Sequence, residues 1–103
     1  MSTKTKVIFR YWFDDVIAIF PEIIADDLSY HCQSYEHFGQ HGACNPIRVV
    51  YNSRPATEKE RQPLLQELTK IGYDLEIVKR LRQEYRETRK AAIKATYGVL
   101  RCP

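Results

Sequence analysis

β-Branched and aromatic residues dominate Lys6-Val-Ile-Phe-Arg-Tyr-Trp-Phe13, which predicts a β-strand. Asp14-Asp15 fits a two-residue turn, because Asp tolerates positive φ better than most residues. Val16-Ile-Ala-Ile-Phe20 is then the returning strand. That pairing sets Phe13 opposite Val16, Tyr11 opposite Ala18 and Phe9 opposite Phe20. One face of the hairpin carries Val7, Phe9, Tyr11, Phe13, Val16, Ala18 and Phe20, as a core face would. The other carries Ile8, Arg10, Trp12, Ile17 and Ile19, too apolar to stand in water. Either a partner subunit or the C-terminal helix must cover it. Two-fold pairing is the commonest such solution, so a homodimer is expected.

Pro21 ends the second strand by withholding a ladder donor. Residues 29–38 alternate loosely, with Tyr30, Cys32 and Ser34 against His31, Gln33, Tyr35 and His37, as in a half-buried strand. Gly39-Gln-His-Gly42 signals a loop. Ile47-Arg-Val-Val-Tyr51 reads as a fourth strand, and Asn52-Ser-Arg-Pro55 turns the chain. Thr57 and Glu60 have the spacing of a helical capping box. Pro63 falls inside that helix and suggests a start nearer Arg61 or Gln62. Leu64, Leu65, Leu68 and Ile71 form the helix's apolar stripe, and Gly72 sits where a left-handed cap belongs. Residues 74–79 alternate as a strand. Residues 82–97 read as a helix rich in Arg, Glu, Lys and Ala, ended by Gly98. The expected fold is α+β: a small, mainly antiparallel sheet in the order β-β-β-β-α-β, one packed helix, and a basic C-terminal helix. Residues 1–80 form the body and residues 81–103 a helical extension of the same domain.

Composition narrows the class. The 103 residues suit one hydrophobic core, and 44% apolar with 28% charged residues is ordinary for a globular domain. The longest mostly apolar run, residues 16–25, is about half a bilayer span and is broken by Pro21 and Glu22, so no membrane segment is expected. Met1-Ser-Thr-Lys-Thr-Lys6 leads into a strand rather than a signal-peptide h-region. Three cysteines, Cys32, Cys44 and Cys102, form no dense framework, so free thiols and a cytoplasmic location are expected. Charge is uneven: residues 1–30 carry net −2, residues 31–78 net −1, and residues 79–103 net +6.

Four stretches, Asp15-Val-Ile-Ala-Ile-Phe-Pro-Glu22, Tyr30-His-Cys-Gln-Ser-Tyr-Glu-His-Phe-Gly-Gln-His-Gly42, Arg54-Pro-Ala-Thr-Glu58 and Gly72-Tyr-Asp-Leu75, carry a resemblance. Through them the chain resembles a group of small proteins of phages and bacterial mobile elements that has no assigned activity. The resemblance covers about three quarters of the chain and implies a setting, not a mechanism. The group's pattern does not require Cys44 and stops near Arg80.

Candidate chemistry concentrates in one stretch. His31, Gln33, Tyr35, His37, Gly39, Gln40, His41 and Gly42 gather imidazoles, amides and a phenol around two glycines. If the strand reading holds, His31, Gln33, Tyr35 and His37 share a face that makes poor core. Imidazole donates and accepts near neutral pH, and amides beside the glycines suit an anion. A site for a small anionic ligand is the expectation, against a plain polar sheet surface. Cys32, His37, His41 and Cys44 form C-x4-H-x3-H-x2-C, a possible zinc set without the usual tight C-x2-C knuckle. A Cys-His nucleophile would need Cys32 beside His37 or His41. No G-x-S-x-G, P-loop, Rossmann or H-E-x-x-H pattern is present, so binding rather than catalysis, with no cofactor, is expected. The partner would be a small anionic ligand or a host protein. Arg82, Arg86, Arg89 and Lys90 recur at helical spacing as a candidate nucleic-acid stripe. Against that, Leu81, Tyr85, Thr88, Ala92, Thr96 and Val99 give the same helix a thin apolar seam suited to docking.

Overall fold

The first hairpin turns on Phe13 and Asp14, both in the left-handed region with φ of 52° and 61°. Positive φ at both central residues matches the right-handed twist of the flanking strands. In a computed structural model describing residues 4–36 and 40–98, this hairpin joins β1 (Thr5–Trp12) to β2 (Asp15–Phe20). The turn is therefore one residue earlier than Asp14-Asp15. Tyr11 pairs with Val16 and Phe9 with Ala18, a slip of two residues from the expected register. Side chains alternate with period two, so each of the paired positions keeps its expected face. Phe13 alone leaves the core face, and it is 83% exposed.

β3 (Cys32–Glu36) pairs antiparallel with β2, and β4 (Gln40–Cys44) with β3. The expected glycine loop is thus largely an edge strand, with Gly42 opposite Ser34. The expected strand at Ile47-Arg-Val-Val-Tyr51 is instead helix α1 (Pro46–Tyr51). Asn45 and Pro46 outweigh β-propensity here, one capping the helix and the other filling its first turn. The two-residue β5 (Arg54–Pro55) then pairs with the C-terminal half of β1. Next comes α2 (Glu58–Ile71), with the capping box fully formed and Gly72 as its C-cap at φ 123°. α2 begins at Glu58 despite Pro63, which lies exposed, so water can reach the carbonyl that loses its donor. β6 (Leu75–Ile77) pairs in parallel with the N-terminal half of β1, and α3 (Gln83–Tyr97) ends at left-handed Gly98. The result is an α+β fold around a six-stranded, mainly antiparallel sheet in the order β4-β3-β2-β1-β5, with β6 also on β1.

Both faces of the sheet are covered. α2 sets Leu64 and Leu68 on Val7, Phe9, Val16, Ala18, Phe20 and Tyr35. On the other face Ile8, Ile17, Ile19 and Cys32 pack with Val49 of α1, flanked by Trp12, Cys44, Val78 and Leu81. α3 lies beside α1, burying Tyr85, Arg89 and Ile93. Arg89 donates from Nε to the Ser29 carbonyl at 3.1 Å and from Nη1 to the Pro21 carbonyl. The face expected to demand a second subunit is therefore closed by the chain's own helices. No helix among the described residues is long and apolar enough to cross a membrane.

Candidate functional site

A six-residue helix does not persist alone in water, so α1 depends on what holds its ends. At its start, Asn45 Oδ1 accepts from the amides of Ile47 at 3.1 Å and Arg48 at 3.3 Å. At its end, the buried Arg10 guanidinium donates to the carbonyls of Val50 at 3.0 Å and Ser53 at 2.6 Å. A cation there also meets the negative end of the helix dipole. Burial lowers the Arg10 pKa from its usual value, and the three bonds it makes keep the charge satisfied.

Pinned in this way, α1 forms one wall of an open cleft of about 790 Å³. Strands β3 and β4 supply Ser34, Glu36, Ala43 and Cys44, and the hairpin tip supplies Trp12 and Phe13. Arg48, Asn45 and Asn52 line the helix side, with Ile17 and Val49 at the apolar base. The volume falls within the range of small-molecule sites. Trp12 and Phe13 pack on each other with ring centroids 4.7 Å apart. Arg48 has no carboxylate within ion-pair distance among the described residues, so its charge remains available to a ligand.

His31 reaches the same cleft from the segment before β3. Its Nδ1 donates to Asp26 Oδ2 at 2.7 Å, while Asp26 Oδ1 accepts the Leu28 amide at 2.9 Å. The Tyr30 ring sits edge-on at 4.4 Å. With Nδ1 engaged by Asp26, Nε2 is the ring nitrogen left for a ligand. Beside it, Cys32 and Cys44 stand directly opposite across β3 and β4 with Sγ atoms 3.7 Å apart. The contact with Cys32 lowers the Cys44 pKa, helped by the Arg89 charge and a Ser34 hydrogen bond and opposed by burial and the Glu36 carboxylate. The same contact between the two thiols, together with burial, pushes the Cys32 thiol far up.

Among the described residues, the histidine-rich stretch is divided between the two sides of the sheet. Cys32 and Ser34 face α1 and α3, whereas Tyr35 faces α2 and is 1% exposed. His31 precedes the strand and lies on the cleft side, away from Tyr35. His41 is on the α2 side: Tyr35 meets its ring edge-on at 4.7 Å, and its Nε2 lies 3.1 Å from the Tyr73 hydroxyl. Burial and the Glu67 carboxylate raise the Tyr35 phenol pKa. Gln33 is half-buried, and Gln40 pairs with Glu36 in the ladder. Gly42 is exposed, and a Cβ there would meet Ser34 Oγ at 3.4 Å. His37 and Gly39 lie outside the described residues.

The zinc set is divided by the sheet, with Cys32 and Cys44 on one face and His41 on the other. Their odd separation along β4 sends His41 and Cys44 to opposite sides. No group of three or more metal-ligating side chains converges among the described residues. The basic stripe also breaks up. Arg89 is 3% exposed, Arg86 is half-buried with Nη2 at 3.4 Å from Ser29 Oγ, and Lys90 pairs with Glu87 at 3.5 Å. Of the four, only Arg82 stands out in solvent. Sequence reasoning missed Arg48, Asn52, Asp26 and the hairpin tip. Asn45-Pro46 was the signal available for α1. No family model, no curated protein and no solved structure matches this chain.

Proposed function

We propose that this is a non-enzymatic binding protein that holds a small anionic, ring-bearing ligand in the cleft between α1 and the outer strands. Arg48 would take the anionic group, and His31 Nε2 would hydrogen-bond the ligand. Trp12 and Phe13 would cover the ring.

The observation that carries this reading is Phe13. A bulky residue at positive φ is a conformational outlier, and this one is also 83% exposed at the cleft mouth. Such strain clusters at functional sites, where a side chain is held for contact rather than for stability. Strand pairing sets the turn and Trp12 meets one side of the Phe13 ring, so the ring's exposed remainder is the surface offered to a ligand.

A thermal-shift panel of nucleotides and phosphorylated metabolites tests the reading. A true ligand at a hundredfold excess over its Kd raises Tm by about 10 °C. Arg48→Ala and Phe13→Ala should each weaken binding roughly tenfold or more, the size of one charge-assisted or aromatic contact. A panel with no shift at millimolar concentration defeats the proposal.

A protein partner is the second reading, favoured by Ile47 and Tyr51 on α1, which are 62% and 86% exposed. In that case Tyr51→Ala would abolish co-purification of a host protein, and no small molecule would shift Tm.

A further inference from the structure

We propose that Cys32 and Cys44 form a reversible dithiol–disulfide site, oxidised by low-molecular-weight disulfides that reach Cys44 through the cleft. This rests on the strand register and the position of the two sulfurs, and it holds whether or not the cleft binds an anion.

Geometry comes first. Residues directly opposite in an antiparallel pair have Cα atoms about 4.5 to 5.5 Å apart, inside the span a disulfide bridges. Cys32 and Cys44 are such a pair, and their sulfurs are already 3.7 Å apart. Closing to a bond length of about 2.05 Å asks for side-chain rotation and a small approach, not a change of fold.

Access is asymmetric, and the asymmetry assigns the roles. Cys44 is half-buried and lines the cleft, whereas Cys32 is fully buried beneath it. Cys44 is also the thiol whose anion is favoured, because the Cys32 contact, the nearby Arg89 charge and Ser34 outweigh burial and the Glu36 carboxylate. The thiolate is the attacking species in exchange. Cys44 is thus the entry sulfur and Cys32 the resolving one.

The exchange balances. The Cys44 thiolate attacks a small disulfide RSSR, forming Cys44–S–SR and releasing RS⁻. Cys32 then loses its proton and attacks the Cys44 sulfur, forming Cys32–Cys44 and releasing the second RS⁻. Two protein thiols are oxidised, one small disulfide is reduced to two small thiols, and the two protons end on those thiols. A dithiol donor reverses the sequence.

Mass spectrometry of the intact chain equilibrated with glutathione disulfide tests this. No Lys or Arg lies between Arg10 and Arg48, so trypsin leaves both cysteines on the peptide from Tyr11 to Arg48 and Cys102 on another. The expected product is that peptide two hydrogens lighter, resistant to alkylation, and restored by a dithiol reductant. In the native reduced protein, Cys44 should alkylate at least ~10-fold faster than Cys32. Cys44→Ser should leave Cys32 a free thiol under the same oxidant. If this variant unfolds, Cys44→Ala with circular dichroism as a folding check carries the same readout. A peptide that remains a dithiol, or that halts as a glutathione mixed disulfide on Cys44, overturns the proposal.

Discussion

Phe13 holds the turn of the first hairpin in a conformation that Asn, Asp and Gly adopt more readily, and it faces solvent while doing so. Phe13→Asn should therefore raise global stability by about 1 kcal/mol in a urea titration while weakening ligand binding. Equal loss of both would mean that the ring packs for the fold alone. A second residue-scale prediction concerns Glu60. Its carboxylate accepts from Arg54 and from the Thr57 amide, which holds its pKa at about 2 against an ordinary 4.5. A depressed acid contributes stability above its unfolded pKa and loses it as pH falls through the folded value. The Tm gap between the native chain and Glu60→Gln should be full at pH 6 and shrink between about 4.5 and 2. A gap that stays constant down that range would show that the Arg54 pair contributes nothing. These two sites differ in how readable they are. The Thr57–Glu60 box depends on a three-residue spacing that any sequence displays. Phe13 does not, because Asp14-Asp15 is chemically the better turn and only tertiary pairing shifts the turn back by one.

At the scale of elements, α1 is the piece on which the cleft depends. Pro46 and Val49 bury themselves, while Ile47, Arg48 and Tyr51 point outward, so one short turn of contact must be helped from both ends. Asn45→Ala removes the cap and should cost about 1 kcal/mol. Arg10→Ala should cost more, about 2–4 kcal/mol, because it strips a buried donor from two carbonyls and leaves a void under α1. Both changes should lower ligand affinity without touching a lining side chain other than Asn45. Denaturant midpoints combined with a binding isotherm check this. If Arg10→Ala destabilises the fold yet binds normally, α1 does not depend on its C-terminal clamp. The same element explains the largest misreading of the sequence. Ile47-Arg-Val-Val-Tyr51 has the composition of a strand, and five residues are too few for helical period to assert itself. The long α2 and α3 were legible because their periodicity runs over three or more turns. The candidate site was legible only in part. His31 and Cys44 do reach the cleft, but Tyr35 was assigned to the face of His31 by assuming that strand alternation runs back through His31, and His41 was placed in a loop rather than on the α2 side. Asp26 holds the His31 ring before β3 begins.

Across the whole molecule, the sheet is a middle layer with α2 on one side and α1 with α3 on the other. The basic helix is accordingly structural as much as electrostatic: Arg89 is spent on the Pro21 and Ser29 carbonyls, which would otherwise be buried acceptors without donors. Arg89→Met keeps most of the volume but orphans both carbonyls, and a loss of about 2–3 kcal/mol is expected in denaturant unfolding. Assembly follows from the same packing. Ile8, Ile17 and Ile19 are each 3% exposed or less within a single chain, so the apolar area that would have driven pairing is already consumed. Light scattering of the intact chain at micromolar concentration should give a monomeric mass. Removing residues 79–103 uncovers that face together with Cys32, and the truncated chain should self-associate or lose cooperative unfolding. A dimeric intact chain would place the contact elsewhere. The exposed residues Phe13, Ile47 and Tyr51 at the cleft rim would then be the surface to mutate, and a mass that returned to monomer with Tyr51→Ala would assign the interface to α1.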